Sequence, residues 1–132
     1  MTSRHISLIA RADADTVYRF AADPRNLPAW ASGLARADVR VAGESLWADS
    51  PMGTVKVTFA PRNAFGVLDH DVELPSGAVV NNPLRVIRHP EGAEIVFTVR
   101  QLEMTDEDFE RDCQTVREDL GRLRDLVEEH NR

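Results

Sequence analysis

From His5 to Ala12 apolar and polar positions alternate, with Ile6, Leu8, Ala10 and Ala12 on one side and His5, Ser7, Ile9 and Arg11 on the other. A period of two predicts a strand. Asp13 then offers an N-cap, and Asp15 places a carboxylate in the first turn, where it suits the helix dipole. Val17, Phe20 and Ala21 fall on one side of a short helix that ends near Ala22. Asp23-Pro24 repeats the start signal, a capping carboxylate followed by proline at the first helical position. It predicts a second brief helix reaching about Trp30, with Pro28 inside it and Gly33 as its stop.

Turn residues then recur at Ala42-Gly43-Glu44, Ser50-Pro51-Met52-Gly53, Pro61-Arg62-Asn63, Pro75-Ser76-Gly77 and His89-Pro90-Glu91-Gly92. They bound candidate strands over 35–42, 45–50, 53–60, 65–74, 78–89 and 93–102. Turns this short cannot make parallel crossovers, so the strands form an antiparallel meander. Ala35, Ala37, Val39 and Val41 oppose Arg36, Asp38 and Arg40, and Val55, Val57 and Phe59 oppose Thr54, Lys56 and Thr58. One face of the sheet is therefore wet, and the other must be covered.

The cover is the last segment. Thr105 caps it, Asp106, Glu107 and Asp108 fill its first turn, and Thr105-x-x-Asp108 approximates a capping box. Phe109, Cys113, Val116, Leu120, Leu123 and Val127 follow at helical steps and predict one apolar stripe along residues 105–132. A coiled-coil dimer competes for the same spacing. Covering the sheet is the stronger reading, because no other element is long enough to do so.

Charge changes the picture in one respect. Residues 103–132 hold 11 acidic and 5 basic side chains, while residues 1–102 hold 11 of each, so the net −6 resides on the C-terminal segment as a solvated helix back. Fifteen of the 16 basic residues are arginine, scattered without a patch. An acidic chain with no basic stripe is a poor partner for nucleic acid or an anionic membrane. Cys113 is the only cysteine, which excludes an intrachain disulfide and a cysteine-built zinc site. No apolar run approaches the ~20 residues of a membrane span. The N-terminus has no signal-peptide pattern, so a cytoplasmic location and one domain over residues 1–132 are expected.

The segments Val17-Tyr18-Arg19-Phe20-Ala21-Ala22-Asp23-Pro24-Arg25-Asn26-Leu27-Pro28-Ala29-Trp30, Phe65-Gly66-Val67-Leu68-Asp69-His70-Asp71 and Pro83-Leu84-Arg85-Val86, with the long final helix, resemble the START/Bet v 1-like superfamily. Within it the chain is most similar to the bacterial polyketide cyclase/dehydrase and lipid-transport group. The resemblance spans nearly the whole chain. It implies an α+β helix-grip fold: a curved seven-stranded antiparallel sheet wrapped around the C-terminal helix, with two short helices between the first two strands. It also implies a cavity between that helix and the sheet. It transfers no catalytic motif, because the superfamily has no universal one.

His70 shares an alternating face with Leu68, Val72 and Leu74, which points its imidazole inward. It is either a core histidine bonded to a neighbour or a cavity-facing donor or general base. Asp69, Asp71 and Glu73 take the other, solvated face. Asn82 shares a face with Val80, Leu84 and Val86, next to Pro83, which cannot donate to a ladder. Trp30 suits a pocket mouth better than Trp47, although either ring can be plain core. Phe97 lines the sheet beside Ile95 and Val99, and Phe109 and Cys113 face inward from the final helix. Cys113 reads as a buried inert thiol, with His70 the sole plausible base for it. His5, His89 and His130 read as surface residues. No nucleotide, serine-hydrolase or zincin motif occurs, so no cofactor and no metal is expected.

Three functions fit these residues. The first is binding of an apolar or aromatic small molecule, lipid- or polyketide-like, with Trp30, His70, Asn82, Phe97, Phe109 and Cys113 around it. The second is a cyclase or dehydratase using His70 as acid/base, with Asn82 or Tyr18 orienting a carbonyl. The third is a structural or partner-binding domain whose own side chains fill the cavity. A monomer or homodimer is expected.

Overall fold

In the computed structural model, which describes residues 1–32 and 39–130, the chain runs β1 (Ser3–Ala10), α1 (Ala14–Ala22), one 3-10 turn (Pro24–Asn26), α2 (Leu27–Trp30), β2 (Arg40–Ala42), β3 (Ser45–Ser50), β4 (Gly53–Phe59), β5 (His70–Glu73), β6 (Val79–Asn82), β7 (Leu84–His89), β8 (Gly92–Arg100) and α3 (Asp106–His130). The helix stop expected at Gly33 and the alternation expected at Ala35 and Ala37 lie outside the described residues. The starts of α1, the 3-10 turn and α3 follow from side-chain caps. Asp13 Oδ1 accepts the amides of Asp15 and Thr16 at 2.9 and 3.2 Å. Asp23 Oδ1 accepts that of Arg25 at 3.0 Å, with Pro24 next to it. Thr105 Oγ1 accepts that of Asp108 at 3.1 Å. In α1 the buried side chains are Val17, Tyr18 and Ala21, so Tyr18 takes the place expected for Phe20, which is half-buried.

The expected single seven-stranded sheet is instead two antiparallel sheets. One has three strands in the order β1-β8-β7, and the other has five in the order β2-β3-β4-β5-β6. The expected strand 78–89 is cut at Pro83, and the expected strand 65–74 contributes only His70–Glu73 to a sheet. Pro83 has no N–H, so the ladder breaks there. The register nevertheless continues without a slip: Val67 bridges Arg85 in the alignment that pairs His70 with Asn82.

The hydrogen bonds at this joint are rerouted. Leu68 N–H donates to Leu84 O at 2.8 Å. The return bond is absent, because Leu84 N–H goes to the Asp69 carboxylate at 2.9 Å. Beyond it, Val86 N–H donates to Gly66 O at 2.9 Å. At Gly66 (φ 73°) a Cβ would lie 2.0 Å from Val86 O, so only glycine allows this approach.

All six stripe residues of α3 are buried within the single chain, which removes the basis for the coiled-coil reading. The helix makes its closest backbone approaches to β1, β8, α1 and α2 among the described residues. No helix is long and apolar enough to cross a membrane among the described residues.

Candidate functional site

Alternation along β4, β5 and β6 places Phe59, His70 and Asn82 in one row across the inner face of the five-stranded sheet. His70 is only 4% exposed. Its ring stacks at a tilt on Phe59, with centroids 4.8 Å apart, and meets Phe97 edge-on at 5.9 Å. His70 Nδ1 lies 2.9 Å from Leu68 O, the carbonyl that Leu84 N–H has left. A carbonyl can only accept, so Nδ1 carries the proton and Nε2 keeps a lone pair. Burial pushes the imidazole below its ordinary 6.5, against weaker opposing pulls from the Leu68 bond and from Asp69 and Asp71. Neutral His70 is therefore an acceptor at Nε2.

Neither neighbouring carboxylate orients this ring. Asp69 turns away to form a two-pronged pair with Arg85, at 2.8 and 2.7 Å, which holds its carboxyl below the ordinary 3.8. Asp71 accepts from Asn81 on the outer face at 2.9 Å.

The structure thus brings His70, Asn82 and Phe97 together, with Asn82 half-buried directly across from His70. Of the two places open to Trp30, core or pocket mouth, the ring takes the core. It is 3% exposed, inside the core, because α2 is a single turn that lays its apolar side against α3. Its indole Nε1–H is buried without a hydrogen-bond partner among the described residues. Phe109 is buried with the Arg4 guanidinium 5.0 Å above its ring. The Cys113 thiol is pushed above its ordinary 9.0 by burial, and the charges that act on it are Arg4, Glu110, Asp112 and Arg117 rather than His70. It therefore stays a protonated, unactivated thiol. Tyr18, with Asn82 a candidate to orient a carbonyl in the enzyme reading, accepts the Asn63 amide on its hydroxyl at 3.0 Å. Trp47 stands on the outer face of β3 with Lys56 Nζ 5.7 Å from its ring. His5 and His130 are exposed and His89 is half-buried.

Two groups escaped the sequence reading. Ser32, Asp119 and Arg122 form a cluster where the chain leaves α2 and meets α3. Ser32 Oγ donates to Asp119 at 2.9 Å, and Arg122 Nη2 contacts both Asp119 and Ser32 Oγ. Asn63 forms the second group. Its side chain accepts the amides of Phe65 and Val67 at 3.0 and 3.1 Å and donates to the carbonyls of Pro61 and Val67, both at 2.9 Å. The sequence signal for it was only an Asx residue in a turn, three positions before Gly66.

Two recesses among the described residues stand out, and neither is lined by Trp30, His70, Asn82, Phe97, Phe109 or Cys113. One of ≈ 360 Å³ lies between α1, the 63–66 loop and β7; the other, of ≈ 290 Å³, lies between α1 and the end of α3.

No protein-family model and no curated protein matches the sequence. Solved structures do. Ara h 8.0201 is similar over 96% of this chain and 97% of its own, at 11% identity and a TM-score of 0.67. The fold is Bet v 1-like. The same Bet v 1-like architecture relates this chain to Aha1 from Colwellia psychrerythraea, a dimer in solution, with 97% of each chain covered, 13% identity and a TM-score of 0.77. DynU16, a protein of the dynemicin biosynthetic locus, is similar over 96% of this chain, which spans 47% of that protein, at 16% identity and a TM-score of 0.73. At these identities the likeness is one of fold.

Proposed function

We propose that this protein binds an apolar or aromatic small molecule, lipid- or polyketide-like, between α3 and the inner face of the five-stranded sheet. The observation that carries the reading is the Trp30 indole N–H, buried without a partner among the described residues. An unmade buried hydrogen bond costs about 1–3 kcal/mol, and native proteins keep few of them without a use. A ligand oxygen would satisfy this donor. A ligand hydroxyl would satisfy the lone pair of His70 Nε2, and Phe59 and Phe97 beside it would supply apolar surface, the usual make-up of a small-molecule site. The Bet v 1-like fold and the likeness to a protein from a small-molecule biosynthetic locus support the same reading.

Binding is favoured over catalysis by what surrounds His70. Burial makes the imidazole a weaker base, the group behind Nδ1 is an uncharged main-chain carbonyl, and both adjacent carboxylates bond away from the ring. Native mass spectrometry for a co-purified ligand, followed by thermal-shift titration with apolar and polyketide-like compounds, tests the proposal. Trp30→Phe should keep the fold and weaken the best ligand about tenfold, the scale of one hydrogen bond. A protein that retains no ligand and shifts with no compound would sink the binding reading. Turnover abolished by His70→Ala, with binding preserved, would replace it with the enzyme.

A further inference from the structure

The loop between β4 and β5 exposes an aromatic ring that it holds firmly in place. Phe65 is 84% exposed. Its backbone does not hang free: Asn63 ties the loop at both ends, the Asn63 amide is bonded to Tyr18, and Gly66 is pressed against Val86. Leaving a phenylalanine in water forgoes about 1.5–3 kcal/mol of burial. The ring alone would need no explanation, but it is continuous with apolar surface in the neighbouring recess and at Ile87, and a contiguous apolar patch marks a contact surface.

The recess of ≈ 360 Å³ lies beside this ring, with Ala14, Tyr18, Gly66 and Val86 among its walls. Ile87, half exposed, extends its apolar surface. Its rim carries one acid and one base, Asp15 and Arg88, whose 3.9 Å approach is loose, with both side chains mostly in solvent.

We propose that this face is a self-association surface, on which a second copy docks about a twofold axis and each Phe65 enters the other copy's recess. A twofold contact requires a patch that is complementary to itself. This patch is so in shape, with a projecting ring beside a hollow, and in charge, with Asp15 and Arg88 on one rim. The twofold lets Asp15 of each copy face Arg88 of the other and replaces two loose internal pairs. Two reciprocally buried rings remove about 300–500 Å² from water, a part of the ~1,600 Å² of a standard interface. The dimer is accordingly weak and concentration-dependent. The surface lies apart from the Trp30 and His70 groups, so it stands whether or not the ligand-binding reading holds.

Sedimentation velocity of the full chain, from about 5 to 500 μM, reads the dimer directly, since weak encounters fall in this range. Wild type should dimerise, and Phe65→Asp should weaken dimerisation at least tenfold while its circular dichroism stays native. Asp15→Arg and Arg88→Asp should each be monomeric, because each confronts like charges across the axis. Mixed one to one, the two variants should form a heterodimer, since both contacts across the axis then join an arginine to an aspartate. Rescue on mixing cannot come from pairing within one chain. A wild type that stays monomeric at the top concentration overturns the proposal, as does a dimer that survives Phe65→Asp. If Phe65→Asp fails to fold, the mixing experiment decides alone, and no heterodimer overturns the proposed pairing.

Discussion

In the three-stranded sheet, α3 lies directly on the strand backbones, and the side chains beneath it are short or aliphatic, with Ile6, Ala10, Ala93 and Ile95 all buried. Among the described residues no strand of the five-stranded sheet comes as close to the helix. That sheet's inner face carries Leu46, Val55, Val57 and Val72, and then the row Phe59, His70 and Asn82. Where a helix backbone seals a sheet, small apolar residues suffice and polar groups have no room. Farther from the helix backbone the sheet carries longer and polar side chains. The first half works as a clamp and the second carries the polar row, with the Asp69–Pro83 joint between them.

Four perturbations test this division. Deleting residues 106–130 removes six buried stripe side chains, each worth about 1.5–3 kcal/mol, from a domain typically stable by about 5–15 kcal/mol. The truncated chain should show no cooperative thermal transition; a sharp melt would mean the sheets stand without the clamp. Gly66→Ala attacks the joint by forcing a methyl against Val86 O, and should cost about 3 kcal/mol or more in urea unfolding. A near-neutral result would show that the joint yields.

Asp69→Ala strips Arg85 of its partner and leaves Leu84 N–H unsatisfied, at a cost of about 1–3 kcal/mol near neutral pH. Because Arg85 holds the Asp69 carboxyl below 3.8 in the folded chain, its contribution is present above that value and lost as pH falls through the folded pKa. The variant's stability deficit should therefore shrink in strong acid. The smallest effect at neutral pH belongs to His70→Phe, about 1 kcal/mol, for the Leu68 carbonyl it leaves without its bond. In wild type the folded state resists protonating His70, whereas the unfolded state accepts a proton below 6.5. Stability then declines as pH drops from 6.5 until the folded pKa is passed, and His70→Phe should flatten that decline. An unchanged acid slope would mean His70 is not held neutral.

Periodicity carried most of the architecture. The caps at Asp13, Asp23 and Thr105, the α3 stripe and the inward turn of His70 all follow from local spacing, and the structure has them. The division into two sheets was only half legible. Pro83 announced a missing donor, but nothing near it in sequence said that Asp69 would take the Leu84 amide across the joint and release the Leu68 carbonyl to His70. Trp30 was left open between core and pocket mouth because a four-residue helix has too little periodicity to mark its buried side. Phe65 looked like the start of a strand because the loop geometry rests on Asn63 and on the approach of Val86, which is distant in sequence.

The unbroken register across Pro83 also determines which changes in chain length the protein can survive. The turn at residues 74–78, closed by bonds between Leu74 and Ala78 and between Gly77 and Leu74, lies at the far end of the β5–β6 pairing and can lengthen without moving either strand. One residue inserted between Gly66 and His70 has no such freedom. It would turn every later position of β5 to the opposite face, exposing His70 and Val72 and driving Asp71 and Glu73 into the core. Relatives that differ in length should therefore vary at that turn and keep the spacing from Gly66 to Glu73 constant.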